Sequence, residues 1–449
     1  MMTTAQELGS GGEPLSVLVI GGCGFVGYHL VCHFVEDATF SIVAAASRSA
    51  HQTKDQVSGA SYHDLDLTND GSIEKVINSV KPTVVVHAAS PSPVTGTPKE
   101  YDKVTVQGTK DLLRIAKKSK DVRALIYTSS SLLCQGPQHV NLTEESPLAD
   151  SDLRAPAYAK AKALAEKLVL RANEPLPTDE LAKEAVSWEG YLCTGALRFP
   201  IVYGTHDLVC IPGALNALQK GQTNVILGDG SNLWSFCSVE NTAVSHLLLA
   251  RALLDTHKRR SSRLPAADGE AFHIHDGESR RFWDFARMVW ELAGHAPKNE
   301  RIFHLPAWFV LGLSSCLEWL FWVFTFGTKR PYQLGKQQVE YALFEHTYSI
   351  EKSRKVLGYE PKQDFERGVK EAVMWSLEYD GWAKRLEKRI SNQWFNLICI
   401  TNRQCSNLVW ISRKRQHLCD FIICQLYENL CPPFPQLRAH RPIANLSLQ

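Results

Sequence analysis

The sequence lacks a dominant charge, a cysteine framework and an apolar leader. Lys and Arg total 49 against 47 Asp and Glu, so the formal charge is only +2, and nothing points to nucleic acid as a partner. The 12 cysteines contain no C-x-x-C pair and no regular spacing. That excludes a disulfide scaffold and predicts reduced thiols in a cytosol-facing protein. Residues 1–14 are polar and glycine-rich, without the apolar core of a secretory signal peptide; residues 1–15 read as a flexible N-terminus. A chain of 449 residues, 44% hydrophobic and 21% charged, is globular rather than disordered, with room for roughly two to three domains.

What is present begins at Val17-Leu18-Val19-Ile20, a buried-strand run followed at once by Gly21-Gly22-Cys23-Gly24-Phe25-Val26-Gly27. From Tyr28 the apolar positions take a helical period. Strand, glycine turn and helix open a dinucleotide-binding βαβ unit. Gly21 permits the tight turn, Gly24 lets backbone approach a pyrophosphate, and Gly27 lets the helix pack on the strand. The helix N-terminus offers free N–H groups and a positive dipole end.

Further strands are expected at 40–46, in a stretch ending within 63–68, at 83–90 and at 124–131, with helices at 72–80, 101–118 and 155–170. Regular alternation predicts an α/β fold, a Rossmann-type doubly wound parallel sheet. The second strand ends at Ser47-Arg48-Ser49 without the acid that usually holds a ribose hydroxyl. Arg48 is either a receptor for a 2′-phosphate or a solvated loop residue. Asp66 is the candidate acceptor for the adenine amino group, with Leu67 contributing backbone. Ala88 and Ala89 are small enough for a cofactor to lie against the end of the fourth strand. The cofactor is expected to be NAD(P), with a lean to NADP.

The expected fifth strand ends in Ser129-Ser130-Ser131, and the helix after it carries Tyr158 and Lys162, four apart on one face. A phenol has a pKa of about 10, too high for a base near neutrality. A nearby ammonium would favour the phenolate and bring it into range. Ser130 can orient the reacting oxygen; Ser131 is its alternative, because consecutive serines blur the register. His273 and His275, two apart, are expected to share one strand face, but no further ligands accompany them and no metal site is expected.

Taken in order, the glycine turn, Tyr127-Thr128-Ser129-Ser130, Tyr158 with Lys162, and 197–204 (LRFPIVYG) resemble the extended short-chain dehydrogenase/reductases. The resemblance is to the 3β-hydroxysteroid dehydrogenase and sterol-4α-carboxylate 3-dehydrogenase branch, and 228–234, 239–241 and 272–278 extend it. It implies Ser130, Tyr158 and Lys162 as the catalytic set, with Pro200 and Val202 near the nicotinamide. Thr105 departs from the family's usual Asn, which puts a proton-relay role for its helix in doubt; Ser235 departs from the usual Asp.

The resemblance divides the chain into a cofactor-binding core (16–204), an interleaved substrate lobe (205–390) and an unassigned tail (391–449). It implies an oxidoreductase acting on the 3β-hydroxyl of a sterol or steroid-like terpenoid, as in a decarboxylating sterol-4α-carboxylate 3-dehydrogenase. The alternatives are an NADPH-dependent ketone reductase of secondary metabolism and a non-catalytic dinucleotide sensor. Residues 305–327 are strongly apolar and rich in tryptophan, interrupted by Glu318. An interfacial helix or hairpin fits that composition better than a span; a buried cap over an apolar pocket is the other reading. The segment predicts attachment to the endoplasmic reticulum membrane with the catalytic domain facing the cytosol. A homodimer or a sterol-enzyme complex is a further expected partnership.

Overall fold

The apolar runs at 17–20, 43–46, 84–86 and 124–127 are buried without alternation, as strands covered on both faces must be. They form the centre of a seven-stranded, all-parallel sheet. Its strands are β1 (Leu15–Ile20), β2 (Phe40–Ser47), β3 (Ala60–Asp64), β4 (Val84–His87), β5 (Ala124–Ser130), β6 (Cys193–Phe199) and β7 (Glu270–His273), in the spatial order β7-β6-β5-β4-β1-β2-β3. The computed structural model describes residues 14–181, 186–295, 302–325 and 335–387. The first residues of the chain, the 391–449 tail and Lys329-Arg330, the basic pair after the apolar segment expected to meet lipid headgroups, lie outside them.

Helices α1 (Phe25–Glu36), α2 (Asp70–Val80), α3 (Gly108–Lys118), α4 (Ala157–Arg171) and α5 (Val239–Leu254) cover the sheet. Odd-numbered β1 residues Val17 and Val19 join the apolar layer containing Leu30, Phe34 and Leu249, from α1 and α5. Even-numbered Leu18 and Ile20 join the layer containing Ile73, Leu112 and Val169, from α2, α3 and α4. The period-2 alternation of strand side chains thus feeds two cores, one on each face.

Pro200 marks the exit from this sheet. Having no N–H, it cannot continue the ladder of β6, and the next strand, Ile201–Tyr203, pairs with Leu233–Ser238 in a second sheet. That sheet also contains Ser279–Arg281, His346–Tyr348 and His139–Leu142. Trp234, Phe236, Phe285 and Phe365 fill a third core beside it.

The chain divides into two units, one of residues 1–305 with 340–391 and one of 306–339 with 392–449. In the second, the helix Ala307–Thr325 buries Val310, Leu317 and Phe321. It exposes Trp308, Trp319, Trp322 and Phe324.

Candidate active site

The glycine turn lies at the carboxyl end of β1. Gly21 has φ +93°, and a Cβ there would stand 2.7 Å from the main-chain nitrogen of Ala89. Ala88 and Ala89, half-buried beyond β4, are therefore packed against the turn by backbone. A Cβ on Gly22 would meet Ala45 at 2.7 Å, and one on Gly27 would meet the Gly21 carbonyl oxygen at 2.0 Å. Only glycine lets α1 approach so closely. Gly24 is the exposed N-cap of α1; no side chain caps this helix, and its first turn holds no acid. The N–H groups of Phe25, Val26 and Gly27 have no intrahelical acceptor, and with the helix dipole they suit phosphate oxygens. This cradle fits the pyrophosphate of a dinucleotide.

At the adjoining edge, burial pushes the Cys23 thiol up, against hydrogen bonds with Ser47 and Thr53; the Asp64 carboxylate pushes it further. Arg48 is exposed just beyond β2. Asp66 lies past the end of β3, where its Oδ1 accepts the N–H and the hydroxyl of Thr68, each at 2.9 Å. The bond from the Thr68 N–H is the main cause that holds its carboxyl below the usual range, with Lys103 and Arg48 adding to it. Leu67 is buried, in a position where a Cβ on Gly108 would stand 3.1 Å from its carbonyl oxygen.

The three serines at the end of β5 have separate partners. Ser129 donates to Glu166 Oε2 at 2.7 Å, and Ser131 Oγ pairs with His273 Nδ1 at 3.0 Å. Ser130 accepts the Leu132 N–H at 3.2 Å and hydrogen-bonds Tyr158. The geometry therefore separates Ser130 from Ser131. Tyr158 is in the first turn of α4, its ring edge-on to Tyr101 at 5.6 Å. Tyr101 is fixed in turn by donating to the Ser92 carbonyl at 2.6 Å. Burial pushes the Tyr158 phenol up to about 12, with the Ser130 bond acting against it.

Lys162 departs from expectation. Its ammonium donates to the Thr128 carbonyl at 2.9 Å and lies 4.7 Å over the Tyr127 ring, with no hydrogen bond to Tyr158. Burial holds it down to about 7, opposed by Glu166. In this state desolvation, not the ammonium, dominates the phenol. Glu166, one turn further along α4, was not singled out from sequence, although it continues the i, i+4 row. Its carboxylate receives Arg198 Nη2 at 2.6 Å and Nε at 3.1 Å, wholly buried.

Pro200 and Val202 are half-buried where the chain passes between the sheets, Val202 opposite Cys237. Tyr341, which carries no sequence signal, packs on Trp234 and His346 beside the third core. Burial, then Cys210 and Tyr158 nearby, push its phenol up. The stretch before α3 is π-helical over Tyr101–Gln107, with Thr105 buried inside it; such turns recur at functional sites. The two histidines lie on one side of this segment, opposite Phe272 and Ile274, and both meet Tyr348: the His273 ring stacks on it at 4.9 Å. β7 ends at His273, and His275 beyond it bonds the Tyr348 carbonyl at 2.8 Å.

The sequence model of the 3-beta hydroxysteroid dehydrogenase/isomerase family matches residues 18–306. Among curated relatives, the decarboxylating sterol-4-alpha-carboxylate 3-dehydrogenase of Schizosaccharomyces pombe is 33% identical over 81% of this chain and 98% of its own length. That of Saccharomyces cerevisiae is 32% identical over 80% and 97%, and that of Mus musculus 29% over 79% and 89%. The dTDP-glucose 4,6-dehydratase of Bacillus anthracis, solved with NAD, superposes with TM-score 0.56 at 19% identity, over 83% of this chain and 99% of that one. The UDP-glucose 4-epimerase of Thermotoga maritima gives 0.56 at 17% identity, over 81% and 99%. At these identities the solved structures establish the fold.

Proposed function

Because this chain belongs to the 3-beta hydroxysteroid dehydrogenase/isomerase family, we propose that it oxidises the 3β-hydroxyl of a sterol carrying a 4α-carboxylate. The observation that carries this reading is the Ser130–Tyr158 hydrogen bond beside a buried Lys162, at the same sheet edge as the glycine cradle. A nicotinamide dinucleotide, when bound, supplies the hydride acceptor. The residues that would hold it are 21–27 at the pyrophosphate, Asp66 and Leu67 at the adenine, Ala88 and Ala89 alongside, and Lys162, Pro200 and Val202 at the nicotinamide end.

Tyr158 takes the proton of the 3-hydroxyl as hydride leaves carbon 3. Ser130 turns its O–H from the phenol to the substrate oxygen and so fixes that oxygen beside the base. Desolvation holds the phenol high, so added positive charge nearby is what makes it a base near neutrality. With a carboxylate on carbon 4, the ketone formed is a β-keto acid, which loses carbon dioxide without another catalytic residue. Residues 205–390 supply the substrate lobe in this reading.

Arg48 taken alone favours NADP, but its charge already acts on Asp66 and Glu100. The exposed tryptophans of Ala307–Thr325, together with the poor solubility of sterols in water, support attachment to the endoplasmic reticulum membrane with the catalytic unit in the cytosol. The test is incubation with 3β-hydroxysterols, with and without a 4α-carboxylate, and NAD or NADP. Mass analysis should find a 3-ketone shortened by the carboxyl carbon. No reduced cofactor and no product from any acid would end the proposal.

A further inference from the structure

In a doubly wound sheet the adenosine ribose is held by an acid near the end of the second strand, and here β2 ends without one. The neighbouring strand supplies a carboxylate. Asp64 is the last residue of β3 and stands in register with Ser47, the last residue of β2. The two ends are locked together, since the Leu65 N–H donates to the Ser47 carbonyl at 2.9 Å. The glycine turn docks on the same corner, with the N–H groups of Gly21 and Gly22 donating to the Ala46 carbonyl at 2.7 and 3.2 Å. Cys23, in that turn, hydrogen-bonds Ser47 and Thr53 and feels the Asp64 carboxylate. Asp64 is exposed, and its one hydrogen bond among the described residues, from the His51 N–H to Oδ1 at 3.3 Å, leaves Oδ2 unengaged.

The charges at this corner point the same way. Arg48 acts on Asp66 and Glu100, and Lys103 acts on Asp66. A 2′-phosphate would bring up to about two further negative charges to a corner where Asp64, Asp66 and Glu100 already outnumber these cations. A ribose hydroxyl brings none and can donate to a carboxylate.

We infer that Asp64 replaces the missing acid of β2, accepts a hydrogen bond from the adenosine ribose and makes the chain prefer the unphosphorylated cofactor, the reverse of what Arg48 alone suggests. This rests on the reading that the site takes a nicotinamide dinucleotide. The experiment is titration of the full chain, without sterol, by NADH and by NADPH, followed by nicotinamide fluorescence. Wild type is compared with Asp64→Asn and Asp64→Ala. The Asn variant keeps an acceptor for His51 and removes only the charge, and thermal melting of both variants checks the fold. Wild type should bind NADH at least about tenfold more tightly than NADPH, and each variant should lower that ratio about tenfold, as expected when the acceptor of a hydrogen bond loses its charge or is removed. A wild-type preference for NADPH, or a ratio unchanged within about threefold in folded variants, overturns the inference and leaves the dinucleotide reading standing. Binding of neither cofactor by wild type overturns both.

Discussion

Lys162 is bonded to the main-chain carbonyl of Thr128 at 2.9 Å and sits over the face of Tyr127. The ammonium is thus stored below the site, on neutral partners, in a place where burial disfavours its charge. Its pKa falls from 10.5 to about 7 on folding. Between those values the unfolded chain holds a proton that the folded chain has released, so stability rises with pH across that window. Below about pH 7 the folded state bears the whole desolvation cost. Lys162→Met removes it. At pH 6 the cofactor-free variant should be more stable than wild type by a few kcal/mol, and the difference should fade toward pH 10. Urea melts at pH 6, 8 and 10 measure this. A variant weaker than wild type at pH 6 would mean that the contacts to Thr128 and Tyr127 outweigh desolvation.

The serine assignments separate in the same way. Tyr158→Phe should lower turnover about a hundredfold or more while the dinucleotide still binds. Ser130→Ala should lower turnover at least about tenfold, because it loses the donor that aligns the substrate oxygen. Ser131→Ala breaks only the bond to His273, so it should cost about 1 kcal/mol of stability and leave turnover near normal. Steady-state kinetics on the three variants decide the matter. Loss of turnover in Ser131→Ala alone would shift the catalytic hydroxyl by one residue.

Glu166 and Arg198 form a wholly buried ion pair, to which Ser129 adds its hydroxyl. Glu166→Gln leaves the guanidinium without its counter-charge and should destabilise the fold by about 3–5 kcal/mol. The double variant Glu166→Leu, Arg198→Met should recover much of that loss, since an apolar pair avoids the desolvation of two charges. Denaturant melts of the single and double variants give the coupling directly. Additive losses would show that the two side chains act independently.

These contacts show what a sequence can and cannot carry. The large sheet was legible because strands buried on both faces read as unbroken apolar runs, and the glycine turn because its requirements are local. Tyr158 and Lys162 were legible as neighbours on one helix, but the partner of Lys162 was not, for Thr128 is 34 residues away on β5. Arg198 reaches Glu166 across 32 residues for the same reason. Asp64 reads as a plain strand end until the β2–β3 register sets it beside Ser47. The shared side of His273 and His275 was legible from their spacing, but their common neighbour Tyr348, more than 70 residues away, was not. Local chemistry survives in one dimension; pairing between distant segments does not.

The helix Ala307–Thr325 bears the last prediction. By length and composition it can cross a membrane. Its large exposed side chains are those of an interface: Trp308, Trp319, Trp322 and Phe324 are 76%, 62%, 64% and 78% exposed. Glu318, in its second half, accepts the Lys336 N–H at 2.9 Å and is half-buried. A carboxylate at mid-bilayer would oppose insertion by about 2.5–3.5 kcal/mol, whereas at headgroup level it stays hydrated. The helix should therefore lie on or dip into one leaflet with its indoles at the headgroups. Trp319→Ser with Trp322→Ser should move the protein from the membrane to the soluble fraction, with dinucleotide binding retained as the check on folding. Glu318→Leu should deepen insertion, read as stronger quenching of tryptophan fluorescence by lipids brominated deep in the chain. Recovery of wild type in the soluble fraction would make this helix an ordinary part of the protein surface. Protease access to the two flanks from opposite sides of a sealed vesicle would make it a span.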